Sequence, residues 1–258
     1  MKKLKLFLFT SLSFLVVCSY ASALQVTMSN HSTETDAFEA LDNWLAITGS
    51  SSYQILEDFE GMSNMVNSGQ TSIDSSGINA TFTAEEGAGQ GTSSVDKTDP
   101  KIVIRDTNET WGRTSKWDNP SDFGEYYLDS GDVKVVSLNS TLVDNEYTSL
   151  FFFLFDVDDN NGSMQVKTTT SGDPSAIQLP GEDLDNGTIT FVGLYIEDFD
   201  ILNPEYLSEI TFTMDSANDG WGIDNIGTTP VPEPATMLLL GFGLIGIAGA
   251  SRKKLFKK

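Results

Sequence analysis

The 258-residue sequence predicts an all-β fold: an antiparallel β-sandwich with one short N-terminal helix, a cleavable signal peptide ahead of it and a single C-terminal transmembrane helix behind it. Three observations carry this. Apolar and polar residues alternate with a period of two through most of the middle of the chain, as in Ile78, Ala80 and Phe82 set between Asn79, Thr81 and Thr83. Clusters of Gly, Asn and Asp interrupt these segments at short intervals, the punctuation of a sandwich or barrel. Both ends depart from the pattern, each combining an uncharged apolar run with a cluster of cations.

The helix is expected over 35–48, where Ala37, Phe38, Leu41, Trp44, Leu45 and Thr48 fall at helical spacing. Asp36 with Glu39 is expected to cap its start and Gly49 to stop it, with the helix lying over one end of the domain. Strands are expected at 53–61, 77–86, 101–107, 126–130, 132–139, 148–157, 163–170, 187–198 and 208–216. Most alternate and bury one face. Phe151–Phe155 and Ile189–Ile196 are apolar on both faces, as central strands beneath a second layer require.

At the N-terminus, Lys2, Lys3 and Lys5 precede an apolar run from Leu6 to Val17 and small residues at Ala21 and Ala23. This is the layout of a secretory signal peptide over 1–23, cleaved after Ala23. The only cysteine, Cys18, leaves with it, so the mature chain has no disulfide or thiol chemistry. At the other end, Met237 to Ala250 carries no charge and is followed by Arg252, Lys253, Lys254, Lys257 and Lys258. Those 14 residues would span about 21 Å as a helix, short of the ~30 Å hydrocarbon core. The flanking Ala235, Thr236 and Ser251 lengthen it, and the cations keep the cytoplasmic side.

Pro232-Glu233-Pro234, the short apolar helix and the basic cluster occur in that order over about the last 28 residues. Together they resemble the PEP-CTERM sorting signal of Gram-negative bacteria. The resemblance implies a transient inner-membrane intermediate, processing near Pro-Glu-Pro by an exosortase-type enzyme, and delivery to the cell surface or extracellular matrix. The expected organisation is a signal peptide at 1–23, an ectodomain at 24–226, a linker at 227–234, and a membrane helix with basic tail at 235–258.

The whole chain carries a formal charge of −22, and the ends hide how acidic the ectodomain is. Between Leu24 and Pro230 stand 36 acidic and seven basic residues, a balance of about −29. Such a surface repels nucleic acid and anionic lipid, and its carboxylate-rich loops attract divalent cations.

Four stretches, "EDFEGM" (57–62), "GRTSKWDNPSDFGEYYLDSG" (112–131), "LFDVDD" (154–159) with 187–198, and "DGWGIDNI" (219–226), resemble jelly-roll ectodomains that precede such tails. The first and last are also similar to the opening and closing strands of MAM-like and carbohydrate-binding jelly rolls. That resemblance implies a structural calcium between a first-strand Glu and a last-strand Asp: Glu60 and Asp224, with Asp219 as a further candidate. Calcium takes six to eight oxygens, which neighbouring first and last strands can supply.

The stretch 156–163 departs from a calcium-loop register, with Asn161 where glycine is needed and Lys167 where glutamate is needed. Asn161-Gly162 instead predicts a hairpin turn. His31 is the only histidine and falls in an expected flexible start of the mature chain, so neither a catalytic triad nor a histidine-based zinc site is expected. Phosphate-loop and nucleophile-elbow motifs are absent.

Trp44, Trp111, Trp117, Trp221, Tyr126 and Tyr127 can each stack on a sugar ring or fill a core. Trp111, Trp117 and Tyr126 are the ligand-binding candidates, and Trp221 is expected to pack on the last strand. The expected function is non-catalytic binding, with exopolysaccharide as the partner, or a purely structural matrix role. A carboxylate-based hydrolase and an ice-binding protein, the latter from Thr81/Thr83 and Thr211/Thr213, are the weaker alternatives.

Overall fold

The computed structural model describes residues 23–66, 68–78, 80–88, 101–106, 123–131, 133–139, 147–157, 164–170, 177–178, 188–197, 206–214 and 220–230. The segment before Ala23, where a signal peptide is expected, and the tail beyond Pro230 lie outside these residues. Among the described residues, no helix is long and apolar enough to cross a membrane.

The described chain forms two antiparallel sheets. One has seven strands: β1 (Ala23–His31), β11 (Ile189–Glu197), β8 (Ser149–Phe155), β13 (Gly222–Thr228), β6 (Tyr126–Asp129) and β5 (Val103–Asp106) in that order, with β2 (Gln54–Glu57) also paired to β13. The other runs β10 (Ile177–Gln178), β9 (Met164–Thr170), β12 (Leu207–Met214), β7 (Val133–Asn139), β4 (Ala80–Ala88) and β3 (Ser72–Ser75). The path changes sheet from β2 to β3, β4 to β5, β6 to β7, β7 to β8, β8 to β9, β10 to β11, β11 to β12 and β12 to β13. These repeated crossings make a sandwich of the expected class.

All nine expected strand segments contain a strand, and β1, β3, β10 and β13 add to them. The segment 53–61 is corrected. Its strand stops at Glu57, and a 3-10 turn occupies Glu60–Met65. Glu57 Oε1 accepts the Phe59 N–H at 2.8 Å and Asp58 Oδ1 accepts the Glu60 N–H at 3.2 Å, so local carboxylates take donors that a ladder would use. Phe59 turns the chain at φ 57°.

The hairpin expected at Asn161-Gly162 is also corrected. Residues 158–163 lie outside the described set, but β8 and β9 belong to different sheets and do not pair. A period-two pattern on both sides of an Asn-Gly cannot distinguish a hairpin from a sheet-to-sheet crossing. The closing strand runs to Thr228, two residues into the expected linker.

The helix α1 (Glu34–Thr48) starts one residue early and has a different cap. Thr33 Oγ1 accepts the Asp36 N–H at 3.2 Å and donates to Asp36 Oδ2 at 2.8 Å. Gly49, at φ 70°, stops it as expected. The helix does not close an end of the sandwich. It lies on the outer face of the seven-stranded sheet, against β11 and β1.

That placement explains the doubly apolar strands. Leu150, Phe152, Leu154, Val192, Leu194 and Ile196 face the core between the sheets, with Phe82, Phe212 and Trp221. Phe151, Phe153, Phe155, Ile189 and Phe191 face the other way, into a second core under Ala37, Leu41, Trp44 and Leu45. Each such side chain contributes about 1.5–3 kcal/mol when buried. The close approach of helix and sheet depends on Gly193, where any Cβ would overlap the Trp44 indole.

Candidate functional site

The candidate site lies where the 3-10 turn, the start of β6 and the middle of β13 meet. The β13 register against β8 shifts between Asp224 and Gly227, and Asn225 takes φ 47°. Such a bulge re-aims side chains. Asp224 is fully buried, pairing in register with Phe153. Its Oδ1 accepts the Asn225 N–H at 2.7 Å, while Oδ2 has no hydrogen-bond partner among the described residues. Burial pushes this carboxyl well above the usual range, and the nearby carboxylates of Asp58, Glu60 and Glu57 push it further against the opposing Asn225 N–H.

Glu60 reaches across to β6. Its Oε1 accepts the backbone N–H of Glu125 at 2.6 Å and of Tyr126 at 2.8 Å. Gly124, at φ 82°, permits this approach, since a Cβ there would collide with the Glu60 carboxylate. Glu57, 8 % exposed, accepts from Phe59 N–H and from Ser75 Oγ, the latter bond joining β2 of one sheet to β3 of the other.

Tyr126 sits on the same junction, partly exposed. Its phenol is pushed up by partial desolvation first, then by the carboxylates of Glu125, Asp106 and Glu60. The structure thus brings Glu60, Asp224 and Tyr126 into one neighbourhood, and adds Glu57 and Asp58, which sequence reasoning did not select. Their signal was available in the run Glu57-Asp58-Phe59-Glu60, whose strand-to-turn transition gathers three acids. Asp219, Trp111 and Trp117 lie outside the described residues.

Asp224 offers an orphaned buried oxygen in acidic surroundings, which suits a hard divalent cation. No three His, Cys, Asp or Glu side chains among the described residues are arranged to hold a metal ion, so the oxygen set there is incomplete.

Three aromatic candidates become core. Trp44 and Trp221 are both fully buried, and the Trp221 ring lies 5.0 Å from Phe212. Trp221 packs on the last strand as expected, with its backbone N–H donated to Ser130 Oγ at 2.9 Å. Tyr127 is also buried, against Phe155. His31 is corrected: it is not in a flexible start but ends β1, in register with Ile189, and shares a 2.7 Å hydrogen bond between Nε2 and Ser29 Oγ. A continuous ladder with β11 orders the segment.

Among curated proteins, none matches the chain. Similar solved structures are family 29 carbohydrate-binding modules. One CBM29-2 variant is 15% identical, over 71% of this chain and 99% of that one, with a TM-score of 0.26. A second CBM29-2 variant, complexed with cellulohexaose, is 16% identical over 70% and 92%, with a TM-score of 0.27. The sandwich assignment rests on this chain's own strand pairing. At its C-terminal end, residues 230–253 match the model of the PEP-CTERM protein-sorting motif, and the chain carries that motif.

Proposed function

We propose that this chain is an exosortase-sorted cell-surface or extracellular-matrix protein whose β-sandwich binds glycan without catalysis. The PEP-CTERM motif at 230–253 carries the reading: it implies export and sorting to the cell surface or extracellular space. An inner-membrane intermediate, held by the apolar run 237–250 until processing near Pro232-Glu233-Pro234, follows from the same motif with the basic Arg252, Lys253 and Lys254. Intact-mass measurement of the native protein from surface and medium fractions tests it. A mass lacking Met1–Ala23 and the residues after Pro234 supports sorting, whereas retention of Lys258 overturns it.

For the sandwich, the supporting observation is Tyr126, a partly exposed ring bordered by Glu60, Asp106 and Glu125. An aromatic face beside carboxylate acceptors suits a sugar ring and its hydroxyls. Trp111 and Trp117 belong to the same sequence stretch as Tyr126 and complete the proposed surface. Exopolysaccharide is the partner class. Glycan-array binding that falls in Tyr126→Ala, Trp111→Ala or Trp117→Ala supports this, and absence of any bound glycan favours a purely structural matrix component instead.

A structural calcium belongs to the same reading. Asp224 with Glu60 would hold it, joined by Asp219, and it would neutralise the acidic junction beneath Tyr126. Calcium titration of thermal stability in wild type and Asp224→Asn tests it.

A further inference from the structure

The chain leaves the sandwich for its C-terminal segment beside an apolar surface patch. β13 ends its ladder at Thr228, paired with Gln54 of β2. Thr229 is tied to the start of β8, its N–H donated to Ser149 Oγ at 3.1 Å, and Pro230 is exposed. The helix arrives at the same end. Phe38 packs on Phe153, Trp44 on Phe151 nearer the start of β8, and Ile47 lies close to a turn further on. Tyr53 follows just before β2, its ring 5.5 Å from Phe151.

Three features of this corner, formed by α1, β2 and β13, point to one partner. Ile47 is 57% exposed and Tyr53 42%, and among the described residues they are the exposed large hydrophobics. Both therefore stand where the apolar segment departs. Second, the stretches that build the corner are uncharged. No acidic or basic residue occurs from Asn43 to Leu56 or from Asn225 to Pro232, in a domain whose balance is about −29. Glu197 ends the neighbouring β11, its carboxylate accepting from Gln25 Nε2 at 2.9 Å. Third, the tether is short. Ala235, where the apolar segment begins, is five residues beyond Pro230, a reach of at most ~18 Å.

We infer that, while the tail anchors the chain, this corner rests on the lipid surface with Tyr53 and Ile47 among the headgroups. The inference rests on the inner-membrane intermediate proposed above. A tyrosine ring has an apolar body and a polar tip, which suits the boundary between lipid and water. Anionic lipid repels a domain this acidic, so a short tether can hold only an uncharged surface against it. Pro232-Glu233-Pro234 then lies between the corner and the bilayer, within reach of a processing enzyme in the same membrane. Release of the tail frees the corner along with the domain.

Cys18→Ser leaves the chain free of cysteine, so a single nitroxide can be placed by Ser52→Cys beside Tyr53, or by Ser32→Cys before the other end of α1, both exposed positions. The full chain is reconstituted in vesicles of phosphatidylethanolamine and phosphatidylglycerol, and its flotation with them is checked. Collisional relaxation by a water-soluble nickel chelate is then compared at the two labels. The expected result is severalfold lower nickel access at position 52 than at position 32. In the double variant Ile47→Asn, Tyr53→Ser the chain should still float and the difference should be lost. Equal access at the two positions in a floating chain would overturn the inference and leave the anchored intermediate standing. A chain that does not float would overturn both. Protection of position 52 that survives the double variant, or that occurs in native inner-membrane vesicles but not in pure lipid, would also overturn the inference. The first result would assign the contact to the tether alone, the second to a membrane protein.

Discussion

Glu60 accepts the backbone N–H of Tyr126 at 2.8 Å across 66 positions of sequence, with the Glu125 N–H bound to the same oxygen. One carboxylate thereby fixes the entry of β6 and the orientation of the aromatic ring proposed to meet a sugar. Removing it leaves two donors with no protein acceptor. Glu60→Ala should cost about 1–3 kcal/mol in urea unfolding, and Glu60→Gln, which keeps an acceptor oxygen, should cost less. Equal losses would mean that the negative charge, not the hydrogen-bond geometry, holds the junction.

Gly193 and Trp44 form a matched pair between sheet and helix. Gly193→Ala forces a methyl group into the indole and should destabilise by about 1–3 kcal/mol. Trp44→Leu opens that space at its own cost. The double variant should lose less than the sum of the singles, as measured by a denaturant double-mutant cycle. Strict additivity would show that the helix shifts as a body instead.

Asp224 is the third test. Under the calcium proposal, adding the ion raises the wild-type melting temperature, with about 2.7 kcal/mol gained at a concentration one hundred times the dissociation constant. Asp224→Asn keeps an acceptor for the Asn225 N–H yet removes the buried charge, so it should be insensitive to calcium and no less stable in chelator. A wild type indifferent to calcium removes the ion from the proposal while leaving the sorting reading untouched.

His31 provides a pH test with a definite sign. Burial lowers its pKa, opposed by Asp36 and then Glu39, so the folded chain favours the neutral ring. The unfolded value is about 6.5. Stability from this residue is therefore fully present above that value and is lost as the pH falls through the lower folded value. The NMR titration midpoint should lie below about 6.5, and Glu39→Gln should lower it further by removing a carboxylate that favours the cation. A midpoint raised by Glu39→Gln would contradict the placement of that carboxylate.

Much of the fold was legible because burial leaves a period in the sequence. Ile78, Ala80 and Phe82 sit on the inner face of their segment as their alternation requires, and Phe151–Phe155 is apolar on both faces because it separates two cores. The elements that escaped lack that signal. β3, "SIDS", is four residues with one large apolar side chain, and β1, "ALQVTMSNH", begins at the last residue of the stretch expected to be a signal peptide. The cap fell to Thr33 because an N-cap is decided by backbone geometry at one residue, where Thr, Asp and Glu compete within a few positions.

The candidate site divides the same way. Glu60 and Asp224 were selected from short stretches resembling first and last strands, while Glu57 and Asp58 joined them only through the turn at Phe59 and the bulge at Asn225.

By itself, the sequence carried the sorting motif and the class: the PEP-CTERM motif is written in one contiguous terminal stretch, and an antiparallel sandwich in a period of two. Only the tertiary structure decided where the helix lies, that β8 and β9 part to different sheets, that Trp44 and Trp221 are core, and that His31 faces Asp36 and Glu39 across a groove. Addresses and periods are local, readable along one strand of text. Sheet partnership, burial of a lone acid and the meeting of distant carboxylates depend on which surfaces pack together, and long-range packing leaves no fixed spacing in the chain.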